Sequence, residues 1–193
     1  MQIFSFPFKH ILQDKFLTEE DFALIKSRIT KIKDNSHAQQ LKSDVIYNQA
    51  RISEPELNVT IESSILSNKE LIEFYLRYKT KMIGHLNNLS PNKTKLFDTF
   101  SFQLSKTAKD VSYPIHDDSA EKLLSVVIYI SPEENNGTYL YNQGSSSPDK
   151  IVKWKPNRYF AFSRLEGVTR HSYEGNKIDD RYTVVLNLLT SKK

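Results

Sequence analysis

The spacing of apolar residues in this chain changes near residue 97, from steps of three and four to steps of two, and that change limits the folds open to it. Before it, Phe22, Ile25, Ile29 and Ile32 form one stripe of a helix over 19–34. Leu71, Tyr75, Tyr78, Met82 and Leu86 do the same over about 68–86. Both helices carry start signals. Thr18 stands as N-cap of the first, with Asp21 at the box position and Leu17 placed to staple onto Phe22; Ser67, Glu70 and the Leu66–Leu71 pair repeat the pattern for the second. After the change, Phe100, Phe102 and Leu104 alternate with Ser101, Gln103 and Ser105. Residues 123–130 are rich in β-branched types, and 151–154, 158–162 and 182–189 follow as strands between turn-rich segments at 144–148 and 174–176. Between the helices, 35–62 is polar, is broken by Ser53-Glu-Pro-Glu, and reads as loop with short strands. Many strands at short spacing after a helical lead imply two packed sheets with helices supporting one of them, a mainly β fold of α+β type.

With 193 residues and 38% apolar content, the chain can bury one substantial core, and a single domain over 1–193 is expected. No apolar run approaches the about 20 residues that cross a bilayer. The opening Met1-Gln-Ile-Phe-Ser-Phe-Pro-Phe-Lys-His lacks a basic leader before a long apolar stretch. A cytoplasmic location without a membrane partner is the expectation. The absence of cysteine excludes disulfides, thiolate nucleophiles and Cys-based zinc or iron–sulfur sites. The net charge of +4 is carried by lysines scattered among acids. A nucleic-acid footprint needs clustering, so no specific nucleic-acid partner is expected. Oligomeric state leaves no signature.

Chemistry concentrates in the strand-rich half. His116-Asp117-Asp118 is followed by His171 and, ten positions later, by Arg181. In an extended segment residues i and i+2 point the same way. His116 and Asp118 therefore face one ion, Asp117 points elsewhere, and His171 closes the set from a distant segment. Two imidazoles and a carboxylate are the donors that hold non-haem Fe(II) and leave positions open. Asp117 is the rival for the carboxylate, and the bland alternative is two surface residues and one buried, hydrogen-bonded histidine. Arg181 offers a planar fork suited to a carboxylate ligand; its alternative is a surface salt bridge with Asp179 or Asp180. The other histidines are poorer candidates: His10 and His37 lie in polar or leading segments, and His85 sits near the end of the second helix.

The ordered series Tyr113-Pro-Ile-His116-Asp-Asp118, Leu124-Ser-Val-Val-Ile-Tyr129-Ile130, Asn136-Gly137-Thr138, Lys155-Pro156-Asn-Arg158-Tyr-Phe-Ala-Phe162, His171 and Arg181-Tyr-Thr-Val-Val-Leu resembles the Fe(II)/2-oxoglutarate-dependent dioxygenases, most closely their prolyl-hydroxylase-like branch. The resemblance covers roughly 98–190, with a weaker echo from Phe8 to Phe22. It implies a double-stranded β-helix, or jelly-roll, core over about 98–190 on helical support from about 1–97. It also implies Fe(II) on His116, Asp118 and His171, and 2-oxoglutarate paired with Arg181. Tyr113 and Ser125 stand where relatives carry a tyrosine and a threonine near the cosubstrate. Tyr129 and Thr183 read as packing residues, and 35–62 as a border of the substrate entrance.

The implied reaction uses O₂ to hydroxylate a C–H bond and releases succinate and CO₂. A peptidyl proline or other protein side chain is the first substrate class; a small metabolite, such as an amino acid or a sugar-related compound, is the alternative. A non-catalytic jelly-roll binding module is the third reading, but such a module is expected to have lost a ligand or the arginine, and neither is lost. Two departures stand out. Many relatives have paired glycines where only Gly137 stands here, and Phe102–Asp110 lacks the tyrosine and glycine common in protein hydroxylases. The nucleic-acid-dealkylating branch carries a second arginine six residues after the first; here that place is Asn187.

Overall fold

Period-two alternation becomes strand pairing throughout the second half of the chain. The computed structural model describes residues 1–31, 39–41, 44–63 and 66–191. Its elements run β1 (Gln2–Phe4), β2 (His10–Gln13), α1 (Glu19–Lys31), β3 (Gln39–Leu41), β4 (Asp44–Ser53), β5 (Asn58–Ser63), α2 (Asn68–Leu89) and a 3₁₀ turn, Pro91–Leu96. There follow β6 (Thr99–Thr107), β7 (Ser112–His116), β8 (Lys122–Ser131), β9 (Thr138–Tyr141), β10 (Lys150–Val152), β11 (Tyr159–Phe162), β12 (Arg170–Glu174) and β13 (Arg181–Leu189). Among the described residues these strands form two sheets. The larger has nine strands in the order β1-β2-β11-β8-β13-β6-β4-β3, with β5 beside β4; the smaller has four, β10-β9-β12-β7. The sheets face each other as a jelly roll.

Side-chain parity gives the larger sheet two unlike faces. On β13, Val184, Leu186 and Leu188 lie opposite Leu104, Phe102 and Phe100 of β6 and opposite Ile128, Val126 and Leu124 of β8. All of these are buried in one apolar cluster with residues of α1 and α2. The intervening Arg181, Thr183, Val185 and Asn187 face the smaller sheet across a cavity, joined by Gln103, Ser105 and Thr107 of β6. A register slip of one residue would exchange the two sets, driving an arginine and an asparagine into the core.

The helices cover the apolar face. At the start of α2 the Glu70 N–H donates to Ser67 Oγ at 3.3 Å and the Ser67 N–H donates to Glu70 Oε2 at 2.7 Å, a reciprocal cap worth about 1 kcal/mol. The start of α1 departs from that pattern. Thr18 Oγ1 accepts the Asp21 N–H at 3.2 Å, but the Thr18 N–H donates to the Tyr78 hydroxyl at 2.9 Å. The Asp21 carboxylate is taken by the Tyr78 hydroxyl and by Arg77, so it fastens α1 to α2 instead of closing a box.

Other parts of the front half also differ from expectation. β1 and β2 extend the larger sheet, with His10 opposite Phe162 of β11. The 35–62 stretch holds the ten-residue β4, paired with β6 through Ala50↔Phe102 and Ile52↔Phe100. Among its described side chains, Ala50 and Ile52 carry an apolar face into the core. Ser53-Glu-Pro-Glu leads into the turn before β5, and α2 continues to Leu89, which still packs. Ile32, His37 and parts of 35–62 lie outside the described residues. Gly137 is fixed by close approach, since a Cβ there would meet the Val152 carbonyl oxygen at 1.8 Å. Among the described residues no helix is long and apolar enough to cross a membrane.

Candidate metal centre

β7 and β12 are neighbours in the smaller sheet, and their register sets His116 directly opposite His171, with ring centroids 4.3 Å apart. Asp118, just beyond β7, joins them: His116, Asp118 and His171 can each offer a ligand atom, all within 4.8 Å of one another. Both rings are held by the same device. His116 Nδ1 lies 3.0 Å from the Pro114 carbonyl oxygen, and His171 Nδ1 lies 3.1 Å from that of Thr169. A carbonyl only accepts, so Nδ1 carries the proton and Nε2 keeps its lone pair for an ion. Burial drives the His171 pKa down to about 4 against the pull of Asp118, so this imidazole is neutral near pH 7.

The Asp118 side chain is only 8% exposed. Burial pushes its carboxyl upward, but the Lys122 ammonium, 2.7 Å from Oδ1, together with His171 and Ser125 more than offsets this, and the pKa falls to about 2. Asp117 turns the other way, where its Oδ2 accepts the Gly167 N–H at 2.7 Å. Arg164 Nε donates to the Asp118 backbone oxygen at 2.8 Å. These two bonds tie the loop before β12 to the His-Asp-Asp segment and so tie the distant ligand to the local pair.

Across the cavity Arg181 opens β13, 3% exposed. Its guanidinium carbon lies 4.3 Å from the Tyr173 ring centre, 5.5 Å from that of Trp154 and 5.6 Å from that of Tyr129. Asp180 faces Lys106 at 3.3 Å, whereas Arg181 is buried beside these rings. Tyr113 meets His116 edge-on at 4.5 Å and stacks on Tyr173 at 5.4 Å. Ser125, on β8, pairs in register with Asn187.

One cavity of about 580 Å³ is lined by His116, Asp118, His171, Arg181, Tyr113 and Ser125 together. Sequence reasoning did not single out Lys122, Gln103 or Ser105, which also line it. The signal for the last two was available: they occupy the polar half of the β6 alternation. Thr183, expected to pack, lines the cavity because it shares the inward parity of Arg181. Tyr129 is a packing residue, fully buried and stacked on Trp154 at 4.4 Å. His10 and His85 are buried away from this cavity, and His85 Nδ1 lies 2.8 Å from the Tyr159 hydroxyl.

No family model and no curated protein matches the sequence. Solved structures do match. The chain is similar to a prolyl-4-hydroxylase from Pseudomonas putida, at 13% identity over 94% of this chain and 92% of that one, with a TM-score of 0.62. It is similar to an oxidoreductase of the 2OG-Fe(II) oxygenase family from Burkholderia pseudomallei, at 13% identity over 93% and 84%, TM-score 0.62. It is also similar to a prolyl hydroxylase from Trichoplax adhaerens in complex with a hypoxia inducible factor oxygen degradation domain peptide fragment, at 16% identity over 95% and 84%, TM-score 0.63. At these identities the likeness establishes the shared fold.

Proposed function

We propose that this chain is an Fe(II)- and 2-oxoglutarate-dependent dioxygenase that hydroxylates a C–H bond, with a peptidyl proline or another protein side chain as its substrate class. The observation that carries this reading is the convergence of His116, Asp118 and His171 within 4.8 Å on the cavity that also contains Arg181. The donor set fits Fe(II): two Nε2 lone pairs and one carboxylate, with coordination positions left open. When bound, the iron and 2-oxoglutarate supply the oxidising chemistry, with O₂ consumed and succinate and CO₂ released.

The remaining work falls to the chain. The Pro114 and Thr169 carbonyls hold both imidazoles in the tautomer that presents Nε2. Asp118 stays ionised and needs no proton removed before it ligates. Arg181 anchors the distal carboxylate of 2-oxoglutarate, and the rings of Tyr173, Trp154 and Tyr129 around it exclude water and strengthen that pairing. Tyr113 walls the cavity beside His116 and is a further candidate to reach the cosubstrate, as is Ser125.

A peptide is favoured over a metabolite by the flank of the cavity. A groove of about 380 Å³ that includes Pro114, Tyr139 and Tyr141 shares Tyr113 and Tyr173 with the cavity. Tyr139 and Tyr141 alternate with the inward-facing Thr138 and Leu140, so this groove lies on the outer face of the smaller sheet. An extended chain longer than its reacting residue would reach it by passing over the edge strand β7. The Trichoplax structure, which holds a peptide fragment, supports the same class. Succinate release should be followed on proline-bearing peptides and on free amino acids and sugars. Peptide-coupled release is the expected result, and coupling only to a small molecule would replace the substrate class.

A further inference from the structure

Lys122 stands at the start of β8, and its ammonium lies 2.7 Å from Asp118 Oδ1. Its side chain is 24% exposed and lines the same cavity as the three candidate ligands. The contact is set by backbone as well as by charge. The Lys122 N–H donates to the Ser119 oxygen at 3.1 Å, and Lys122 pairs with Leu189 at the edge of the β8–β13 ladder. The lysine backbone is therefore anchored at the end of the ladder, next to the irregularity between Leu188 and Leu189, and its side chain lines the cavity.

A carboxylate can give one oxygen or both to a metal ion. A site with His116 and His171 as its other donors keeps its open positions only if Asp118 gives one. Outer-shell partners of this kind orient ligating carboxylates. Resting on the metal-site reading above, we infer that Lys122 is a positioning residue: it occupies Asp118 Oδ1 and holds the carboxylate to single-oxygen ligation through Oδ2. Lys122 thereby preserves a coordination position for the cosubstrate.

Anaerobic calorimetry with Mn(II), then with 2-oxoglutarate on the loaded protein, tests this in the wild type, Lys122→Met and Lys122→Arg. Water-proton relaxation by the bound Mn(II) reports the exchangeable positions. Lys122→Met should bind Mn(II) no more weakly than the wild type, because the second carboxylate oxygen replaces a water, show one fewer exchangeable water, and bind 2-oxoglutarate on the order of tenfold more weakly, about 1.4 kcal/mol. Lys122→Arg should restore both readouts. If Lys122→Met does not fold, Lys122→Gln carries the same comparison, judged by the exchangeable-water count. An unchanged water count and unchanged cosubstrate affinity in the neutral variant would overturn the role of Lys122 and leave the metal site standing. A wild type that binds no Mn(II), or binds it as well after His171→Ala, would overturn the site and this inference with it.

Discussion

Asp117 Oδ2 accepts the Gly167 backbone N–H at 2.7 Å, and this bond assigns the two neighbouring aspartates to opposite duties. Gly167 has φ of +68°, a left-handed conformation that glycine adopts without strain. Asp117 thus fastens the loop before His171, while Asp118 faces the histidines.

Replacing the two aspartates should separate these duties. Asp118→Ala should abolish metal-dependent turnover, as should His116→Ala and His171→Ala. Asp117→Ala should keep substantial activity while losing about 1–3 kcal/mol of stability from the broken loop bond. Metal titration and chemical denaturation of both aspartate variants check this. An inactive Asp117→Ala beside an active Asp118→Ala would reverse the assignment.

Arg181 should matter to the cosubstrate and not to the metal. Losing the partner of a buried charge costs roughly 3–5 kcal/mol, or two orders of magnitude or more in affinity. Arg181→Leu should weaken 2-oxoglutarate binding by that much and leave Mn(II) binding largely intact. Equal cosubstrate affinity in the variant and the wild type would point to another cation.

Asn157 should be a stability residue far from the chemistry. It has φ of +58°, accepts the Leu17 N–H through Oδ1 at 2.8 Å and donates from Nδ2 to the Leu17 oxygen at 2.9 Å. Asn157→Ala loses both bonds and places alanine in a left-handed backbone, which adds roughly 1–2 kcal/mol. Asn157→Gly loses only the bonds. Denaturation should rank wild type above Asn157→Gly above Asn157→Ala, and equal stability of all three would contradict this.

How legible these features were in the sequence depended on the range of the interaction. The core face of β13 and the His116–Asp118 pairing rest on period two, which is a local property. Arg181 is singled out by the resemblance, in which a basic residue follows the distal histidine by about ten positions, and the structure lodges it in the same cavity. β1 and β2 were missed because each is short, and their strand character comes from pairing with each other and with β11. Lys122 was missed because its contact depends on the turn that ends at β8. Asp21 was read as a cap residue because Tyr78, which draws its carboxylate away, lies on the other helix.

His85 gives the fold an acid-side weakness. Burial lowers its pKa from 6.5 to about 4. The unfolded chain therefore takes up the proton first. The contribution is fully favourable above about pH 6.5, is lost progressively as pH falls, and stops changing below about 4, where the folded form also protonates. The slope within that window is at most on the order of 1.4 kcal/mol per pH unit. In metal-free protein His171 acts in the same direction. Between about pH 7 and pH 5 the wild type should lose more stability than His85→Gln, by on the order of 1–2 kcal/mol. Equal losses would show that His85 titrates normally.

Anaerobic titration of 2-oxoglutarate into the Fe(II)-loaded protein, followed by absorption, tests the central claim most directly. A charge-transfer band should appear only when both iron and 2-oxoglutarate are present, should vanish in His171→Ala, and should require far more 2-oxoglutarate in Arg181→Leu. A wild type that shows no such band, or a band that survives His171→Ala, would contradict the assignment of His116, Asp118 and His171 as the iron site.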